Sequence, residues 1–106
     1  MGKTKQETAM IGFEIVAYAG DARTKLLNAL NEAQKGNLEK AEEMVNEADT
    51  IINQAHNSQT EMLKEEAAGE EMDLGFIMVH GQDHLMTTML LKDMMKHMIE
   101  LYRRTQ

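Results

Sequence analysis

The run His80-Gly81-Gln82-Asp83-His84-Leu85-Met86-Thr87 gathers two imidazoles, a carboxylate and a hydroxyl within a Met-rich, proline-free stretch. Residues three and four apart are surface neighbours on an α-helix, so His80, Asp83 and His84 share a face and Thr87 follows one turn on. An unperturbed imidazole titrates near pKa ~6.5, so at physiological pH it is largely neutral, able to attack phosphorus or to carry protons. Imidazole nitrogen and carboxylate oxygen are also legitimate metal ligands, which leaves a metal site at His80, Asp83 and His84 as a second chemistry. The run lacks the glutamate of the His-Glu-x-x-His pattern, so a hydrolytic zinc centre is the weaker form of that reading. The plain alternative for each histidine is a hydrogen-bonded core role. His56, near Gln54 and Gln59, and His97, between Lys96 and Met98, form no constellation.

These groups need a long helix to hold them, and the composition supplies one. No proline, eleven Met, two Phe, two Tyr and no Trp favour helices over a sheet. Turn signals occur at Lys35-Gly36-Asn37, where Gly36 suits a helix stop and Asn37 a cap, and at Ala67-Ala68-Gly69-Glu70-Glu71. The expected architecture is therefore all-α: one domain over residues 1–106, an antiparallel up-down-up three-helix bundle with helices at about 8–34, 38–67 and 72–104. The first carries Ile11, Ile15, Ala19, Ala22, Leu26, Leu30 and Ala33 on one face, and its small Ala17, Ala19, Gly20 and Ala22 let another helix come close. The second turns Leu38, Ala41, Val45, Ala48, Ile52, Ala55 and Met62 inward.

The third helix is apolar over too much of its circumference for a lone bundle. At about 100° per residue, Ile77, Thr88, Met95 and Ile99 lie to one side of His80, and Val79, Met86, Leu90, Met94 and Leu101 to the other. Two apolar faces need two sets of neighbours, and copies of the same helix in an oligomer would supply the second. Asp83 falls within about 20° of Leu90, Met94 and Leu101. A carboxylate buried there must be protonated, paired, or gathered with its symmetry mates around a metal ion; otherwise it serves as a polar residue that fixes register.

Charge and sulfur chemistry narrow the partners. Eleven Lys plus Arg against eighteen Asp plus Glu give a net charge of -7, which argues against nucleic acid and anionic lipid and favours a basic protein. With no cysteine, disulfides and thiolate zinc sites are excluded. There is no apolar run long enough to span a bilayer, and Met1-Gly2-Lys3-Thr4-Lys5-Gln6-Glu7 lacks the apolar core of a signal peptide. A cytoplasmic protein with no membrane insertion is expected.

The chain resembles the lactose/cellobiose-specific enzyme IIA components of the bacterial phosphoenolpyruvate-dependent sugar phosphotransferase system. The resemblance runs from Gly12-Phe13-Glu14-Ile15-Val16-Ala17-Tyr18-Ala19-Gly20-Asp21-Ala22-Arg23, through Glu47-Ala48 to Ala55-His56 and Gln59-Thr60, to the His80–Thr87 run. The first segment and the tail Leu91-Lys92-Asp93-Met94-Met95-Lys96-His97 look more like lactose than cellobiose members.

What the resemblance implies is a homotrimer of three-helix subunits that accepts a phosphoryl group from the phosphocarrier HPr and passes it to a cysteine of the cognate IIB domain. The membrane IIC component stands downstream. The family's phosphorylated histidine matches His80, attacking through one ring nitrogen, Nε2 by family analogy. Its metal-binding aspartate, shared by three subunits at the symmetry axis, matches Asp83, and a hard ion such as Mg²⁺ suits oxygen ligands. His84, Thr87 and Gln82 are the expected supporting residues. For a mid-helix histidine the helix N-terminus is out of reach, so further donors are expected from a neighbouring subunit or the partner. The competing readings are a metal-dependent helical enzyme using His80, Asp83 and His84, and a structural oligomer.

Overall fold

A computed structural model describes residues 2–106. Helices α1 (Lys5–Gln34), α2 (Leu38–Ala67) and α3 (Phe76–Arg104) run up, down and up in a rod of 56 × 20 × 17 Å. The turns fall where glycine was expected. Gly36 and Gly69 adopt φ of 90° and 92°, the left-handed conformation that ends α1 and α2.

Two boundaries and one cap differ from expectation, each for a local reason. α1 begins at Lys5 rather than 8, because Thr4 and Glu7 form a reciprocal capping box: the Thr4 hydroxyl accepts from the Glu7 N–H, and the Glu7 carboxylate from the Thr4 N–H at 2.9 Å. That backbone hydrogen bond, and then the Thr4 side chain, hold the Glu7 carboxyl below its usual range. The box is therefore complete at neutral pH and is lost as acid protonates Glu7. Asn37 stands at the N-cap of α2 but does not cap it; its side-chain amide donates to Glu32 instead. α3 begins at Phe76, not 72. The Met72 segment is extended and pairs with Lys3, through Lys3 N–H to Glu71 C=O and Asp73 N–H to Lys3 C=O, and Gly75 is extended at φ -122°. The buried Thr8 hydroxyl fastens the same connection from α1, within hydrogen-bond distance of the Asp73 carbonyl.

The core lies where the periodicity placed it. Ile15, Ala19, Ala22, Leu26, Ala29 and Ala33 of α1 meet Ala41, Ala48, Ile52 and Ala55 of α2, and the alanines let the two backbones come close. Met78, Leu85, Met95 and Ile99 of α3 close the core from the other side. α2 and α3 lie further apart, leaving a groove of about 680 Å³ over Val45 and Ile99. It is bridged by ion pairs, Lys92 to Asp49 at 3.2 Å and Arg103 to Glu42. The hydrogen bond from Lys92 to Asp49 raises the lysine's pKa, so the lysine stays charged through neutral pH and its contribution to the bridge is lost as pH climbs through that raised value.

Of the four small residues of α1 expected to let a helix come close, Ala19 and Ala22 are buried in the core, whereas Ala17 and Gly20 are not at a close approach. Ala17 is exposed, and a Cβ on Gly20 would meet nothing within 4 Å. The tight crossing is at Gly12 and Gly81, both buried. A Cβ on Gly12 would lie 3.0 Å from the Met78 backbone, and one on Gly81 would lie 3.0 Å from the Gly12 carbonyl oxygen. Neither neighbour is a flexible side chain that can swing away. Gly81→Ala is expected to cost about 1–3 kcal/mol of stability through overpacking, whereas Gly20→Ala should gain about 0.5–1 kcal/mol as an open helix-interior position. Urea unfolding of the two variants beside the parent checks both signs.

Candidate functional site

The Gly12–Gly81 contact fixes the rotation of α3, and with it the direction of every group in the motif. With Gly81 turned inward, His80 and Asp83 are exposed and Leu85 is wholly buried. His80 is the fifth residue of α3, counting from Phe76, so it lies one turn from the helix start rather than in mid-helix. Side chains on a helix lean toward its N-terminus. The first turn of α3 has no side-chain cap and no acidic residue, so its positive end is not neutralised locally.

His80 and His84 are brought together. Their rings meet edge to face, with centroids 4.4 Å apart and planes at 74°. Nδ1 of His84 is buried without a hydrogen-bond partner. A buried N–H with no acceptor is costlier than a buried lone pair, which favours the tautomer carrying its proton on Nε2.

The other expected supporting residues point elsewhere. The Thr87 hydroxyl turns back onto its own helix, donating to the Asp83 carbonyl at 2.8 Å with the His84 carbonyl at 3.3 Å. Gln82 leaves His80 altogether: its carbonyl accepts from the Gln59 amide on α2, and its own amide reaches the Met78 sulfur. Two residues separate Gln82 from His80, about 200° around the helix. Gln59, which also donates to the Met86 sulfur at 3.5 Å, is the partner that sequence reasoning did not find. His56 is half-buried on α2, and exposed His97 lines the α2–α3 groove, so neither joins the pair.

Asp83 stands on the outward face of α3 amid Val79, Met86, Leu90, Met94 and Leu101, which are 44–64% exposed. Its carboxylate has no hydrogen-bond or ion-pair partner among the described residues. Nor do any three His, Cys, Asp or Glu among them converge to hold a metal ion within one chain. The three-ligand site at His80, Asp83 and His84 is therefore not assembled. No helix among the described residues is long and apolar enough to cross a membrane.

An exposed histidine packed edge to face on a second histidine, on a helix whose outward face is apolar, offers its ring on an open surface rather than in an enclosed pocket. Comparison with known proteins supplies the family. Residues 10–103 match the family model of the lactose/cellobiose-specific IIA subunit of the PTS system. A lactose-specific EIIA component of Streptococcus mutans is 59% identical over 100 residues, covering 94% of this chain and 96% of the relative. Among solved structures, PtcA from S. mutans superposes with a TM-score of 0.89 at 40% identity, over 92% of this chain and 96% of that one. The IIA(chitobiose) of Escherichia coli, solved in complex with HPr, gives a TM-score of 0.79 at 29% identity, over 93% and 96%. The chain belongs to the lactose/cellobiose-specific IIA family of the sugar phosphotransferase system.

Proposed function

We propose that this chain is the phosphocarrier of a lactose branch, working in the cytosol with His80 as the residue that holds the phosphoryl group. The carrying observation is the exposed His80 ring packed edge to face on His84 at the start of α3. In the step assigned here, a neutral His80 nitrogen attacks the phosphorus of a phosphohistidine on HPr. The donor's P–N bond breaks as the new one forms, and the donor imidazole leaves with its electron pair. Delivery to a IIB cysteine then exchanges the P–N bond for a P–S bond. Such transfer is mostly positioning and charge stabilisation. The His84 ring packed against His80 can turn its Nε2–H toward a phosphoryl oxygen, and the uncapped start of α3 adds a favourable field. Thr87 can help only by releasing its backbone carbonyls, and Gln82 not at all from its present position.

Charge supports a basic donor. The segments that meet at the His80 end, residues 2–14 and 58–84, hold Lys3, Lys5 and Lys64 against nine carboxylates, so six of the seven net negative charges lie there. A cationic partner surface is steered to that end.

The outward face of α3 supports the trimer. Leu90 and Leu101 are 60% and 64% exposed on a continuous apolar stripe, a surface a lone subunit would leave in water. Closing three copies about it brings three Asp83 carboxylates together, one from each chain. Those oxygens fit a hard divalent cation such as Mg²⁺, whose charge would offset their mutual repulsion.

Three outcomes are expected. Incubated with phosphoenolpyruvate, enzyme I and HPr, the protein should gain an acid-labile phosphate; His80→Ala should fold yet gain none, while His56→Ala and His97→Ala remain competent. A fully phosphorylated His80→Ala would end the carrier assignment. Leu90→Lys should sediment as single subunits, because an unpaired buried ammonium costs more than the leucine packing it replaces. A chelator should lower the wild-type melting temperature at neutral pH, whereas Asp83→Leu should stay assembled and ignore it. Identical wild-type melts with and without chelator, and no metal on elemental analysis, would leave Asp83 a register residue.

A further inference from the structure

We propose that Met86 and Met94 form an oxidation-sensitive site, at which conversion of the free subunit's thioethers to sulfoxides blocks assembly. This rests on the trimer reading above. All of the chain's sulfur is thioether, eleven methionines and no cysteine. Most of the described ones are buried or half-buried; Met10, Met86 and Met94 are 67%, 52% and 44% exposed. Met10 lies on α1, whereas Met86 and Met94 stand one turn before and one turn after Leu90 on the outward stripe of α3.

The chemistry needs a peroxide and nothing else. A sulfur lone pair attacks one peroxide oxygen and the O–O bond breaks. An S–O bond forms, and the second oxygen leaves as water after taking up protons. The sulfur loses two electrons and the peroxide gains them. The product is polar and a strong acceptor, so burying it in an apolar seam without a donor is unfavourable. In the free subunit Met86 already has that donor: Gln59 Nε2 lies 3.5 Å from its sulfur, close enough for the new oxygen to take the same N–H. The amide therefore stabilises the oxidised side chain where it is exposed. Assembly in turn shields both sulfurs, so oxidation and association compete for one surface. Sulfoxide reduction restores the thioether, which makes the block reversible.

The test is hydrogen peroxide applied to the full-length protein across a concentration series, with peptide mass spectrometry and sedimentation as readouts. Oxygen addition at Met86 and Met94 should slow as protein concentration rises, while addition at Met10 should not. The oxidised protein should show a roughly threefold fall in sedimenting mass, and methionine sulfoxide reductase should restore it. A Met86→Leu/Met94→Leu double variant, close in volume, should stay assembled in peroxide. Protein oxidised at both sites that still sediments as the assembly, or a loss of mass that the reductase cannot reverse, overturns the proposal. Wild type that is a single subunit before any peroxide, at every concentration, overturns the trimer reading itself and is recognised as such.

Discussion

The backbone contact between Gly12 and Gly81 sets the rest of the molecule. Two helices whose side chains interdigitate can rotate a little against each other; two helices in backbone contact cannot, because there is no side chain to repack. Gly81 is fixed inward by the Gly12 carbonyl, 3.0 Å from where its Cβ would be. At about 100° per residue, that single constraint turns His80 to one flank of α3, Gln82 to the α2 flank, and Asp83 away from the core. Glycine in a helix interior costs about 1 kcal/mol relative to alanine. Two such residues in register are best understood as the cost of this crossing. The exposure of His80 is thus a consequence of the burial of its neighbour.

How much of this could be read in the sequence follows from the same geometry. Helix count, the α2 span of 38–67 and the inner faces of α1 and α2 were legible, because apolar residues at helical spacing report burial directly. The outward stripe of α3 was legible too: Val79, Met86, Leu90, Met94 and Leu101 are exposed in the single chain, as an apolar face without an internal partner must be. What escaped involved groups whose partners are distant in sequence. The late start of α3 depends on backbone pairing between Lys3 and the Glu71–Asp73 segment, some seventy residues apart, which no local pattern reveals. Gln82 turned out to serve Gln59 for the same reason. Two signals were present and passed over. Thr4-Lys5-Gln6-Glu7 is a capping box written in the sequence, and Gly12 repeated the oddity of Gly81, a glycine within an otherwise strong helical pattern.

The late helix start matters chemically. A third helix beginning at 72 would leave His80 two turns inside and so farther from the terminal dipole, which weakens over the first turn. Beginning at Phe76, with extended Gly75 ahead of it and no carboxylate in the first turn, the helix presents its positive end close to the histidine. The pairing of Lys3 with the connection, reinforced by the Thr8 hydroxyl on the Asp73 carbonyl, is what stops the helix there. Local order at the N-terminus is in this way coupled to the electrostatics of a residue some seventy-five positions later.

Against that small favourable field stands a larger unfavourable one. A phosphohistidine at His80, as proposed above, would add negative charge at the end of the rod that already carries six of the chain's seven net negative charges. The rod is 56 Å long, and charges screen one another over about 8 Å at physiological ionic strength, so the basic residues near the far end of α3 cannot compensate. The two fields act at different ranges. On the proposed assignment of His80, the start of α3 and the His84 ring would favour the phosphoryl group's position close by, while over the whole surface the acidic end would disfavour keeping it. A carrier requires that combination, because a phosphoryl group held too well would not move on, and one held without orientation would be lost to water before the next partner docks.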